Sequence, residues 1–165
     1  MKNILVSIVM GSESDLPTMG EAAKILKEFD VPCEMKVLSA HRTPDETAEY
    51  AKALESRGVK VAIAGAGGAA ALAGVVAAHT SIPVIGVPME TTALNGMDSL
   101  LSTVQMPAGT PVAAMAIGKG GAQNAGFLAL KILGLNDAAL RSKLEDYKRK
   151  QAEKIKATKV DPATL

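Results

Sequence analysis

The feature that most constrains this chain is a rhythm: short apolar runs alternate with segments whose apolar residues recur every three or four positions. The runs are Ile4–Met10 (ILVSIVM), Val59–Ala64, Val84–Val87 and Val112–Ile117, with Cys33–Leu38 as a second strand that alternates less cleanly. Short runs that are apolar at nearly every position suit strands covered on both faces, because a strand with one wet face would alternate. Between the first two strands, Leu16–Phe29 places Met19, Ala22, Ala23, Leu26 and Phe29 at helical spacing. Strands separated by helices predict a parallel sheet with helices on both faces, and right-handed crossovers leave few topologies. The expected fold is α/β: a flavodoxin-like three-layer αβα sandwich with parallel strand order 2-1-3-4-5 and a long C-terminal helix. A chain of 165 residues makes one domain, 1–165, that buries about 70% of the surface its unfolded form exposes.

Helix boundaries carry their own signals. In Thr43-Pro44-Asp45-Glu46, Thr43 is placed to cap a helix, Pro44 suits the first helical position and Glu46 completes a capping box. That helix is expected to reach about Arg57, with Gly58 as its stop. Ala69–Ala78 is apolar on every side, which predicts a helix buried all round. The segment MPAGTP reads as a loop leading into the fifth strand. Helices follow over Ala122–Leu133 and over about Asp137–Lys156, where Leu140, Leu144, Tyr147, Gln151 and Ile155 form a narrow stripe.

Composition narrows the function. With two Tyr, two Phe and no Trp, the core must be built from Ala, Val, Ile, Leu and Met packed at short distances. Eighteen basic residues against seventeen acidic ones create no field that would draw the chain to nucleic acid or an anionic membrane. The basic stretch Lys143–Lys159 is diluted by Glu145, Asp146 and Glu153 and reads as a solvated helix face. Cys33 stands alone, so no internal disulfide or thiolate metal cluster can form, and in a strand its thiol is expected to be buried and inert. Ile4–Met10 is too short to span a bilayer and nothing near it reads as a signal peptide, so the cytoplasm is the expected location.

In sheets of this kind ligands bind beyond the carboxyl ends of the strands, near the switch point. Four loops fall on that edge: GSESD after strand 1, SAHRTP after strand 2, GAGGAA after strand 3 and PMETTALNG after strand 4. In the first, Gly11 permits a sharp turn, and Ser12 and Ser14 offer hydroxyls beside free N–H groups at a helix start. That suits an anion, though simple helix capping by either serine explains them equally well. Asp15 would repel a phosphate, so a sugar hydroxyl is the better partner for it. In the second loop Arg42 can grip a phosphate or carboxylate through two parallel bonds. Beside it His41 is a general acid/base candidate, since histidine changes charge near neutral pH. The glycine run lets backbone approach a ligand closely, although tight helix–strand packing would demand the same residues. His79 falls outside the four loops and is assigned a structural or surface role, and two distant histidines without a cysteine partner make no metal site.

GSESD, SAHRTP, AGAGGAA, GVP, ALNGMDSLLSTVQMP and AIGKGGAQNAG, in this order and at these intervals, resemble class I PurE, the N5-carboxyaminoimidazole ribonucleotide mutase family. The resemblance covers Ile4 to Leu133. It implies an isomerase of purine biosynthesis that moves a carboxylate from N5 to C4 of a small ribonucleotide, without metal or organic cofactor. It implies a homo-octamer with sites near subunit contacts, in which the Ala69–Ala78 helix and the C-terminal helix pack on a neighbouring subunit. Carried over by position, His41 is the catalytic acid/base and Ser12, Asp15 and Arg42 bind the ribonucleotide, with Ser14, Ser39, Gly67 and Gly68 as neighbours. This chain departs from the family at Ala71 and Ala73, where relatives usually carry histidine and proline. Two other readings compete. A direct aminoimidazole ribonucleotide carboxylase using CO2 tends to carry lysine where Arg42 stands. A noncatalytic nucleotide- or flavin-binding module on the same fold gives His41-Arg42 no purpose.

Overall fold

The computed structural model describes residues 3–158, so Lys159 of the basic stretch lies outside the described residues. The strands are β1 (Val6–Met10), β2 (Cys33–Val37), β3 (Val61–Ala66), β4 (Val84–Pro88) and β5 (Ala113–Ala114). The helices are α1 (Leu16–Glu28), α2 (Pro44–Ala53), α3 (Leu72–His79), α4 (Met97–Val104), α5 (Lys119–Gly134) and α6 (Ala138–Ala157). All strand pairs are parallel and the order is β2-β1-β3-β4-β5, as the alternating pattern requires. In register, Met10 lies level with Val37 and Gly65, and Gly65 with Val87. The central strands therefore end together, and the loops that leave them collect on one edge.

Alternation along the strands divides the core into two layers. Val6, Ile8 and Met10 face α1 and α5, joining Met19, Leu26, Ala125 and Leu130. Val9, Ala62 and Ala64 face the other way and pack with Tyr50 of α2, Leu54 just past its end, and Leu72 and Val76 of α3. With so few aromatics, the layers approach closely. A Cβ placed on Gly65 would fall 2.3 Å from Met19 Sδ, and one on Gly126 would meet Ile25 Cβ at 3.0 Å where α5 crosses α1. The polar residue inside β1, Ser7, is fully buried and meets Tyr50 Oη at 2.8 Å. Tyr50 also donates to Glu34, which pairs with Arg57, so one polar cluster ties β1, β2 and α2 together.

Several boundaries differ from the sequence reading. Helix α2 stops at Ala53 and the chain reaches Gly58 through turns, with the glycine at φ +85° ending the segment as expected. Thr43 makes no side-chain cap on α2; its hydroxyl turns back to Ser39 instead. Helix α3 starts only at Leu72 and is not buried all round: Leu72, Ala73 and Val76 are covered, whereas Val75 and Ala77 are half-buried and Ala78 is exposed. The fifth strand shrinks to two residues because only Ala113 and Ala114 pair with β4, and the chain then turns at Gly118 into α5, which begins at Lys119. Helix α4, absent from the sequence reading, packs on β4 and β5. Helix α6 is capped by Asp137, whose carboxylate accepts the Leu140 N–H at 2.9 Å. Its first half docks on the same chain, with Tyr147 packed edge-on to Phe29 and tilted against Phe127, while Ile155 is 73% exposed. Cys33 is half-buried, and that burial pushes its thiol up, away from the reactive thiolate.

Candidate active site

Three of the four edge loops close around one cleft of about 430 Å³, a size suited to a small-molecule ligand. Ser12, Ser14 and Asp15 form one wall, Ser39, His41 and Arg42 a second, and Gly67, Ala69 and Ala71 a third. His41 and Arg42 are exposed to solvent there, free to meet a ligand.

The first wall is a single 3-10 turn, Glu13–Asp15, and its geometry unites the two sequence readings of these residues. Ser12 Oγ accepts the Ser14 N–H at 3.3 Å and the Ser14 hydroxyl at 2.9 Å. Asp15 Oδ2 accepts the Ser12 N–H at 3.1 Å, so the two residues cap each other. The capping box expected at Thr43 is thus found at Ser12, and the caps are also cleft residues. Burial raises the Asp15 carboxyl above its ordinary value, and the bonds from Ser12 and Ser14 offset this only in part.

The second wall is held by hydrogen bonds within a few residues. Thr43 Oγ1 accepts the Ser39 N–H at 3.1 Å and donates to the Ser39 carbonyl at 3.0 Å, closing the loop that contains His41 and Arg42. Ser39 Oγ accepts from the Arg42 backbone N–H at 3.2 Å and from Arg42 Nε at 3.3 Å. Arg42 Nη2 then reaches across to the Gly11 carbonyl at 3.1 Å, linking the first two walls. Two of its donors are thereby held by protein acceptors, which fixes the guanidinium at the cleft wall and leaves its other N–H groups for a ligand.

The third wall, the glycine loop, is packed from below. A Cβ on Gly67 would lie 3.3 Å from Met89 Cβ and 3.5 Å from Thr91 Cγ2, so the fourth loop supports the third without lining the cleft. Gly68 does not line the cleft; its N–H and carbonyl are bonded to Ser99 and Ser102 of α4. The sequence reading does not single out those serines, and it takes Thr43 for a helix cap and Gly11 for a turn, because the roles seen here rest on contacts that no local pattern encodes. Ala71 lines the cleft with a methyl group, and Ala73 is buried against the sheet. His79 sits elsewhere, its Nδ1 2.9 Å from the Val75 carbonyl, in keeping with a structural role. Among the described residues no cluster of His, Cys, Asp or Glu has the makings of a metal site, and no helix is long and apolar enough to cross a membrane.

A parallel sheet with an imidazole, a guanidinium and a carboxylate gathered at its switch point defines an α/β protein built for a small polar, anionic ligand. Known proteins give that class a family. The AIR carboxylase family model matches residues 5–154, and the chain belongs to that family. It is 58% identical over 156 residues to N5-carboxyaminoimidazole ribonucleotide mutase of Pyrococcus horikoshii, covering 92% of this chain and 87% of that protein. The mutase of Bacillus subtilis is 57% identical over 151 residues, covering 92% and 93%. Among solved structures, Treponema denticola PurE superposes with a TM-score of 0.83 at 29% identity, covering 92% of this chain and 93% of that one.

Proposed function

We propose that this chain is an N5-carboxyaminoimidazole ribonucleotide mutase, an isomerase that moves the carboxylate from N5 to C4 of the imidazole in purine biosynthesis. The observation that carries this reading is the convergence of His41, Arg42, Ser12 and Asp15 on one cleft, in a chain that shares more than half its residues with enzymes of that name. The guanidinium of Arg42, already aimed by Ser39 and Gly11, takes the anionic end of the ribonucleotide. Ser12, Ser14 and Ser39 supply hydroxyls beside it, Asp15 takes a sugar hydroxyl, and Gly67 offers the loop wall against which the ring lies, with Gly68 behind it.

The chemistry needs one proton shuttle. The substrate is a carbamate, and it releases CO2 once its N5 nitrogen is protonated. Protonated His41 supplies that proton as the N–CO2 bond breaks, leaving the neutral amine, CO2 and neutral imidazole. The electron-rich C4 carbon then attacks CO2, forming the C–C bond. Neutral His41 removes the C4 proton, which restores the aromatic ring and returns His41 to its starting state. Each half-reaction leaves the imidazole in the form the next one requires.

Several exposed apolar residues support assembly into a homo-octamer. Met97, Leu101 and Val104 share one face of α4, continued by Leu94, and are 47–59% exposed. The half-covered face of α3 and the projecting end of α6 extend the apolar surface available to neighbouring subunits. Sedimentation equilibrium tests this: an octamer is expected, and a monomer at micromolar concentration would reject it. A small-molecule substrate of purine biosynthesis supports a cytoplasmic location for the enzyme.

The decisive assay supplies N5-carboxyaminoimidazole ribonucleotide to one sample and aminoimidazole ribonucleotide with bicarbonate to another. Rapid appearance of the 4-carboxylated product only in the first identifies the mutase. Efficient product formation in the second would make the chain a direct carboxylase, and bound visible-absorbing flavin without turnover would make it a binding module.

A further inference from the structure

The glycine loop takes its shape from outside the cleft. Gly68 has φ +68°, in the left-handed region. Its N–H donates to Ser99 Oγ at 3.0 Å, and its carbonyl accepts the Ala70 N–H at 2.8 Å and the Ser102 hydroxyl at 3.3 Å. Both serines lie on α4, one turn apart; Ser99 is wholly buried, and Ser102 Oγ also reaches the Asp98 carbonyl at 2.8 Å. The start of that helix is itself braced, since Thr91 Oγ1 donates to Asp98 Oδ1 at 2.7 Å and accepts the Gly96 N–H at 3.1 Å.

A trans peptide is planar, so its C=O and N–H point in opposite directions. With the Gly68 N–H turned toward α4, the Gly67 carbonyl must point away from it. With the Gly68 carbonyl turned toward α4, the Ala69 N–H must point away as well. Gly67 and Ala69 both line the cleft, and among the described residues no protein acceptor takes the Ala69 N–H.

We infer that Ser99, assisted by Ser102, is a positioning residue for ligand binding: Ser99 holds the Gly68 N–H, Ser102 supports a Gly68 carbonyl that the Ala70 N–H also holds, and the free backbone groups of Gly67 and Ala69 are thereby turned toward the cleft. Neither serine touches the ligand, and both act on binding more than on proton transfer, because His41 sits on a different wall. The inference rests on the ribonucleotide site proposed above. Its test uses the full chain with N5-carboxyaminoimidazole ribonucleotide as substrate. Loss of one such bond predicts that Ser99→Ala raises KM about tenfold and Ser102→Ala about threefold, with kcat within about twofold and the pH profile of kcat unmoved. Unchanged KM in both variants, or equal loss of kcat with unchanged KM, overturns it. Should Ser99→Ala fail to fold, the exposed Ser102→Ala decides alone by the same criterion. A wild-type chain that neither binds nor converts the ribonucleotide would remove the site itself, and the inference with it; an active wild type with unaffected variants removes only the inference.

Discussion

Replacing Asp15 by asparagine removes one charge and almost no volume, and the structure predicts opposite signs for its effects on stability and on binding. The amide oxygen of asparagine still accepts the Ser12 N–H that Asp15 Oδ2 now takes at 3.1 Å, so the cap survives. Burial holds the Asp15 carboxyl above its ordinary value, which means the folded chain carries that charge at a cost. A group raised in this way favours the folded state below its unfolded pKa and loses that contribution as pH rises through the folded value. Asp15→Asn should therefore melt like the wild type in acid and at the same or a higher temperature at pH 7. Binding moves the other way. A hydrogen bond from a substrate hydroxyl to a charged acceptor contributes about 1.5–3 kcal/mol, so the ribonucleotide should bind about ten- to a hundredfold more weakly. Calorimetric titration with the ribonucleotide and thermal melts across pH read both quantities. A variant that binds like the wild type but melts lower at pH 7 would show that Asp15 is only a cap and refute the argument.

Substitutions at three further positions test the scaffold. Thr43→Val keeps the side-chain shape but strips both bonds to Ser39; it should cost about 1–3 kcal/mol of stability and lower kcat/KM about tenfold, with Thr43→Ser restoring most of each. Gly20→Ala and Gly65→Ala should shift Tm in opposite directions. A Cβ at Gly20 in α1 meets nothing within 4 Å and gains up to about 1 kcal/mol of helix propensity. At Gly65 it collides with the fully buried Met19, costing about 1–3 kcal/mol, and each kcal/mol moves Tm by about 2–4 °C in a chain this size.

Much of this molecule is written locally in its sequence. β-branched runs announced the inner strands, and the turns after them announced the edge where Ser12, His41, Arg42 and Gly67 meet. Most of what escaped depends on contacts between distant residues. Helix α4 starts at a left-handed Gly96 without a side-chain cap, so no start signal marks it, although Met97, Leu100, Leu101 and Val104 carry the helical spacing that the sequence reading passes over. The β5 run is apolar enough for six residues, yet only two pair with β4 because an edge strand is defined by its partner. Thr43 had the sequence of a helix cap, but Ser39 competes for the same hydroxyl and wins. Ser99 and Gly68 lie 31 residues apart, a pairing that only the folded chain brings about.

The central claim is that a single imidazole carries the proton both ways, and the most direct measurement compares wild type and His41→Asn on N5-carboxyaminoimidazole ribonucleotide. Asparagine fills similar space but cannot shuttle a proton at neutral pH. The variant should bind the ribonucleotide within a few-fold of wild type while its kcat falls by about two to four orders of magnitude, the range general acid–base catalysis supplies. A His41→Asn enzyme that turns over at close to the wild-type rate would contradict the account.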